Sequence, residues 1–239
     1  MSSRLERKRK AVIIGAGPVG CLAASALFRH GWNVAVYESR PGLVDVQIQT
    51  FVTQSNLPDL RLPSSKVASQ KRSINLAISH RGIAALEVVS PAAAQRFLKD
   101  AIPMSGRMIH TPSGELDSQK YDRDGQVGIA VFAFVRITDN IHVQCINSIN
   151  RALLNEGLLD EASASDHVQI SFNHRVIAID FDHKMMTVQD IASNLNFNVN
   201  FDFLIGADGS YSITRQQMMR VARQVDPSLT GFMKHKSSF

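Results

Sequence analysis

Four consecutive apolar residues, Ala11 to Ile14, open the patterned part of the chain, and small and apolar residues then recur at helical spacing as far as Leu27. Gly31 stops that run, and a second apolar segment, Trp32 to Tyr37, follows directly. This pattern predicts a βαβ unit with parallel strands buried on both faces. The segment "KRSINLAISHRGIAAL" (71–86) predicts an extended stretch passing into a helix around Ile83 to Val89, with Arg72, Asn75, His80 and Arg81 unusually polar for the setting. Residues 105–122 predict two short strands around a Pro-Ser-Gly turn, placing Arg107 and Tyr121 on neighbouring strands. Residues 146–162 predict a helix with Ile149, Leu153 and Leu154 on one face and Ser148 or Asn150 as cap. Arg151 then lies in the first turn, against the helix dipole, where a neighbouring anion favours it. Four β runs are predicted within 168–206: "VQISF", "RVIAIDFD", "KMMTVQD" and "FDFLIG". The middle two form a meander pair joined at "DHK", and the last is a central strand.

Chemistry enters at two glycine-rich turns. The first strand runs into Gly15, Gly17 and Gly20, a GxGxxG spacing that opens the helix. Gly15 permits the tight turn, Gly17 lets the backbone approach a pyrophosphate, and Gly20 lets helix and strand pack closely, while the helix start offers free N–H groups. Glu38, at the end of the second strand, stands where an acid accepts hydrogen bonds from ribose hydroxyls. An acid there disfavours a 2′-phosphate, so the pocket suits the adenosine of FAD or NAD better than that of NADP. The second turn, "GADG" (206–209), follows the last apolar strand and aims Asp208 at the crevice where open α/β sheets bind ligands.

Composition narrows the function classes. Hydrophobic content of 44% and charged content of 20% are those of a globular protein. The net charge of +5 is mild, and part of it sits in the basic tail, residues 1–10. With no basic stripe interleaved with aromatics, nucleic acid is not expected as a partner. Cys21 and Cys145 lack metal-ligand spacing, so no metal is expected, and Cys21 reads as a small core residue. No apolar run is long enough to span a bilayer, so the chain by itself reads as soluble.

Taken together, GxGxxG at 15–20 and "GADGSYSITR" at 206–215, with Gly206, Ala207, Asp208, Gly209, Ser212 and Arg215, resemble the flavin-dependent aromatic hydroxylases. "RSINLAISHRG" (72–82), "PMSGRMIH" (103–110) and "RMIHTPSGELDSQKYD" (107–122) resemble, within that group, the kynurenine 3-monooxygenase family, its fungal members above all. The likeness covers most of residues 8–224 and only the N-terminal part of the family's pattern. It implies a Rossmann-like FAD-binding α/β domain of the aromatic-hydroxylase type over 11–224, with an inserted β-rich substrate segment at about 100–125. It implies NADPH as transient reductant, O2 as co-substrate and hydroxylation of L-kynurenine to 3-hydroxykynurenine, on the cytosolic face of the mitochondrial outer membrane. By motif match, Gly15, Gly17, Val19, Gly20, Glu38, Arg40, Ala77, Arg151, Val176 and Asp208 would contact FAD. Arg107 and Tyr121 would hold the substrate carboxylate, and no side chain need act as nucleophile.

Three stretches depart from the family pattern: 42–58, 127–144 and the tail 225–239. Retained intron sequence is one account of all three, since Val127 requires a GTN codon and Gln144 a CAR codon, matching intron ends; genuine loop insertions with a real truncation are the alternative. Comparison of cDNA with genomic DNA tests this, and continuous transcripts carrying the segments refute it. Beyond the tail, the family's membrane anchor and later flavin motif are absent, so turnover by this chain is expected to be impaired. Competing readings are a non-catalytic flavin-binding remnant, another FAD-dependent aromatic hydroxylase, and an NAD-dependent dehydrogenase, the last disfavoured by the GADG motif.

Overall fold

The computed structural model describes residues 9–41, 76–121 and 146–226. The segments 42–58 and 127–144, with Arg72, Asn75 and Cys145, lie outside the described residues, and of the tail only Val225 and Asp226 lie within them. Two compact units divide the chain, one combining its two ends and the other spanning Ser69–Leu154.

In the first unit, β1 (Lys10–Ile14), β2 (Asn33–Tyr37), β8 (Val168–Ser171) and β12 (Phe203–Gly206) form a parallel sheet in the order β12-β1-β2-β8. Register is continuous across it, with Ile14 opposite both Tyr37 and Gly206. An antiparallel meander covers one face: β9 (His174–Asp180), β10 (Met185–Asp190) and β11 (Asn196–Asn200). Between the layers Val12 and Ile14 join Val176, Ile179, Met186, Val188, Val199 and Phe201 in one buried cluster. Alternation sends Ala11 and Ile13 to the other face, where α1 (Pro18–Arg29) packs with Gly20, Cys21 and Ala24 buried. The apolar run of β1 therefore needs no polar face. The Cys21 thiol, fully buried, lies 3.4 Å from the Ala16 carbonyl, as a small core residue should. α1 closes with Gly31 N–H on Phe28 O and Trp32 N–H on Leu27 O, a pair of bonds that satisfies two terminal carbonyls.

The second unit contains the antiparallel sheet β3 (Leu76–Ile78), β7 (Ile146–Ile149) and β4 (Ile102–Met104), with β7 central. It also holds the hairpin β5 (Gly106–His110) and β6 (Leu116–Lys120) and two short helices, α2 (His80–Val89) and α3 (Pro91–Lys99). Serine hydroxyls cap both helices: Ser79 accepts from the Gly82 amide and Ser90 from the Ala93 amide. Among the described residues no helix is long and apolar enough to cross a membrane.

Four expectations need correction. The segment 146–162 is a strand followed by a helix, because Ile146–Ile149 pairs with both β3 and β4 and buries alternate residues, Asn147 and Ile149. α4 (Arg151–Ser163) starts only after Asn150, whose side chain accepts from the Ala152 amide at 2.8 Å and so caps it. α2 begins at His80, three residues earlier than Ile83, where the Ser79 cap sets its start. The last apolar run splits, with Phe201 buried in the core and β12 at the edge of the parallel sheet rather than its centre. The intervening strand β11 was not expected from its sequence, "NFNVN".

Candidate functional site

Both glycine turns leave the carboxyl ends of adjacent strands, and they are packed back to back. Ala207 N–H donates to Ile14 O at 2.8 Å, and Gly15 N–H donates to Tyr37 O at 2.8 Å, so the three chains leave β12, β1 and β2 hydrogen-bonded together. Gly15 has φ of +99°, and a Cβ there would meet the Ala207 carbonyl oxygen at 2.6 Å. A Cβ on Gly20 would lie 1.9 Å from the Gly15 carbonyl oxygen, and one on Gly206 would lie 2.7 Å from the Thr214 side chain. These three glycines are required by the protein's own packing.

Gly17 is different. A Cβ added to it meets no protein atom within 4 Å, so that side of the turn is open. Gly17 is the N-cap of α1, makes no side-chain cap, and is followed by Pro18, with no acid in the first turn. Cys21 N–H returns to Gly17 O at 3.0 Å, and the amides ahead of it, on Val19 and Gly20, are those a helix cannot satisfy from within. An open face, unclaimed amides and a positive dipole end fit an anionic group such as a pyrophosphate. Val19, 70% exposed, stands at the same helix start.

Glu38 closes the other side of the turn. It is 6% exposed, and its Oε2 accepts from the Ala16 amide at 2.8 Å and from Arg40 Nη2 at 2.8 Å. Oε1 accepts from the Arg40 amide at 2.9 Å and from the Ser39 hydroxyl at 3.4 Å. Burial pushes this carboxyl up, but the Arg40 hydrogen bonds and charge, with the Ala16 amide, outweigh it and hold Glu38 below the ordinary carboxylate value. The acid is therefore ionised and already bonded to the first turn.

Asp208 faces inward along its own turn. Its Oδ1 accepts from the Ser212 hydroxyl at 2.7 Å, and its Oδ2 accepts from the Thr214 amide at 3.1 Å and hydroxyl at 3.2 Å. Ser212 in turn accepts from the Arg215 amide at 2.9 Å, capping α5 (Ile213–Val225). The carboxylate thus ties the β12 turn to the start of α5. Sequence reading missed Thr214, although its position two residues after the capping Ser212 marks the first helical turn, where such a partner belongs.

The first unit therefore brings together Gly15, Gly17, Val19, Gly20, Glu38, Arg40 and Asp208. Val176 belongs to the same unit, but its side chain is in the core between sheet and meander. The second unit holds Ala77, exposed on β3 opposite Ser148, and Arg151, exposed at the first residue of α4. It also holds Arg107 and Tyr121. Arg107 pairs with Gln119 across the hairpin, its Nε donating to Gln119 Oε1 at 2.7 Å. Tyr121 N–H donates to Ser105 O at 3.0 Å, continuing the ladder, so Tyr121 is the diagonal neighbour of Arg107 on one face.

Residues 13–55 match the model of an NAD(P)-binding Rossmann-like domain. The chain is 40% identical over 211 residues to a kynurenine 3-monooxygenase of Saccharomyces cerevisiae, covering 87% of this chain and 38% of that one. It is 38% identical over 234 residues to the kynurenine 3-monooxygenase of Cryptococcus neoformans var. neoformans, covering 91% of this chain and 39% of the relative. An Aspergillus oryzae protein of the same name is 36% identical over 235 residues, covering 93% of this chain and 40% of its own. The chain thus spans 38–40% of the length of these curated relatives. Among solved structures, the flavin-dependent monooxygenase PieE in complex with FAD and substrate superposes with a TM-score of 0.59 at 18% identity, covering 90% of this chain and 32% of that one. The tetrameric 2-methyl-3-hydroxypyridine-5-carboxylic acid oxygenase superposes with a TM-score of 0.57 at 19% identity, covering 89% and 42% respectively. At that identity the likeness establishes the fold: a Rossmann-like α/β domain of the kind found in flavin-dependent monooxygenases.

Proposed function

We propose that this chain, a relative of the kynurenine 3-monooxygenases along nine-tenths of its length, forms the FAD-binding part of such an enzyme. The observation that carries the reading is the open face of Gly17, set between the ionised Glu38 and the α1 start, where Gly15 and Gly20 of the same motif are closed by protein. Gly15, Gly17, Val19 and Gly20 would hold the pyrophosphate through backbone amides and the helix dipole. Glu38 and Arg40 would border the adenosine, and Asp208, which ties its turn to the start of α5, would hold that turn toward the cofactor. By motif match, Ala77, Arg151 and backbone groups of Val176 would also contact the cofactor.

When bound, the flavin supplies the redox chemistry, taking reducing equivalents from NADPH and activating O2 for ring hydroxylation of L-kynurenine. This chain's residues bind and orient. Arg107, with Nε held by Gln119, presents its terminal Nη groups as a fork suited to a carboxylate, and Tyr121 lies beside it on the same hairpin face. Neither residue needs to exchange a proton in that role. The test is to purify residues 1–239 without added flavin and record the visible spectrum, then measure kynurenine-stimulated NADPH oxidation. Bound oxidised flavin supports the reading. A chain that folds by circular dichroism yet takes up no FAD at saturating concentration refutes it. Flavin binding without stimulated oxidation would support the non-catalytic remnant instead.

A further inference from the structure

Among the described residues, three non-glycine residues have a left-handed backbone: Asn173 at φ +57°, Lys184 at +49° and Asn194 at +58°. Lys184 and Asn194 turn the two hairpins of the meander, β9 to β10 and β10 to β11. Asn173 is 7% exposed and, with Phe172, is all that separates β8 from β9. Successive amides of an extended chain point to opposite sides, so a strand offers only one of two neighbouring N–H groups to a given partner. Here two neighbouring amides reach the same segment. Asn173 N–H donates to Arg40 O and His174 N–H donates to Glu38 O, each at 2.9 Å. A left-handed residue between two amides is what turns them to one side, and asparagine is among the few residues that adopt that conformation readily. The Asn173 carbonyl accepts from the Ile191 amide at 2.8 Å, so the same turn is anchored just past the end of β10.

We infer that Asn173 is a positioning residue for the adenosine end of the cofactor site: its left-handed backbone aims two amides at the carbonyls on either side of Ser39 and so sets where the Glu38 carboxylate stands. This rests on the flavin-binding reading above and deepens it. Glu38 N–H donates to Ser171 O at 2.9 Å, so both backbone groups of Glu38 are held by the end of β8 and the turn that follows it. From Glu38 the tie continues through its Oε2 to the Ala16 amide at 2.8 Å, next to the open face of Gly17. Alanine at 173 favours negative φ, which rotates one of the two amides off the 38–40 segment. A ligand that needs Glu38 in place then has to restore the strained turn as it binds. Lys184 supplies an internal control. It is left-handed as well, and its carbonyl accepts from the Phe201 amide at 3.0 Å, but that tie runs between the β9–β10 turn and the end of β11.

The inference is tested by titrating the full 239-residue chain and its N173A, N173G and K184A variants with ADP, by calorimetry, with urea midpoints read alongside. N173A is expected to bind ADP about fivefold more weakly, the scale set by a left-handed alanine. N173G adopts positive φ freely and is expected to stay within about twofold of wild type. K184A is expected to lower the urea midpoint and leave ADP affinity unchanged. ADP bound as tightly by folded N173A as by wild type overturns the inference and leaves the flavin reading standing. An N173G chain as weak as N173A overturns it too, since the side chain would then carry the effect, and so does an equally weak K184A, which would make the effect a general loss of stability. If N173A does not fold, amide hydrogen exchange in the wild-type chain decides. Saturating ADP should slow the Asn173 and His174 amides more than the His183 amide at the meander tip, and an equal change at all three overturns the inference. A wild-type chain that binds neither ADP nor FAD removes the flavin reading, and this inference with it.

Discussion

Replacing Gly17 by alanine is expected to spare the fold and weaken cofactor capture at least about tenfold, whereas the same change at Gly20 is expected to damage the fold itself. Gly17 has φ of −76° and ψ of 178°, an extended conformation open to any residue, and its added methyl touches no protein atom within 4 Å. Reduced entropy of the unfolded chain favours alanine by about 0.4–1 kcal/mol, while the poorer N-cap costs a similar amount, so stability should stay within about 1 kcal/mol of wild type. The methyl would instead fill the space over the Val19 and Gly20 amides. Loss of one or two charge-assisted bonds to a phosphate corresponds to at least about tenfold weaker binding. At Gly20 the methyl carbon would lie 1.9 Å from the Gly15 carbonyl oxygen, where real contacts stay above 3.0 Å. That oxygen is backbone, held by a turn that Ala207 backs directly, so helix and strand must part by more than an ångström. Overpacking of this kind costs about 3 kcal/mol, a large share of a domain stability of about 5–15 kcal/mol. Urea unfolding followed by far-ultraviolet circular dichroism reads the stabilities, and flavin retained through gel filtration reads the binding. FAD held as tightly by G17A as by wild type would refute the reasoning on the open face. A G20A chain of wild-type stability would refute the packing argument.

Two further outcomes follow from the carboxylates. Asp208→Ala removes the acceptor of the Ser212 hydroxyl and of the Thr214 amide and hydroxyl, and is expected to cost about 2–3 kcal/mol in urea unfolding. A loss below about 0.5 kcal/mol would show that the tie between β12 and α5 carries no weight. Because the folded Glu38 carboxyl is held below its ordinary value, its contribution to stability is present above the unfolded carboxylate value of about 4.3 and is lost as pH falls through the depressed folded value. Glu38→Gln should therefore flatten that acid limb in thermal melts taken from pH 6 to pH 2, and an unchanged limb would contradict the assignment.

The βαβ unit was legible because each of its parts is local: an unbroken apolar strand, small residues at helical spacing, and glycines at three fixed positions. Gly15, Gly17 and Gly20 look alike in sequence, however, and only packing separates the two that the protein fills from the one it leaves open. Ile146 and Ile149 lie three apart, the spacing of a helix face, and it takes the distant partners Leu76–Ile78 and Ile102–Met104 to make them a strand. β11 hides behind three asparagines, which face outward while Val199 enters the core opposite Met186. Glu38 was expected to await a ribose, but no sequence pattern reveals that Arg40 folds back onto it two residues later.

The place of β1 between β2 and β12 also has a consequence during synthesis. Lys10 and Asp202, bonded to each other where those strands begin, are 192 residues apart in the chain. At roughly 5–20 residues per second, a ribosome releases the β1 strand roughly 10–40 s before its second neighbour exists. Through that interval one edge of the most apolar strand in the sheet has no native partner, and the Gly15 turn has no Ala207 behind it. Folding of the Gly15 turn is therefore a late event, gated by the far end of the chain, and a nascent chain that stalls before Phe203 exposes an edge on which chaperones or other nascent chains can act.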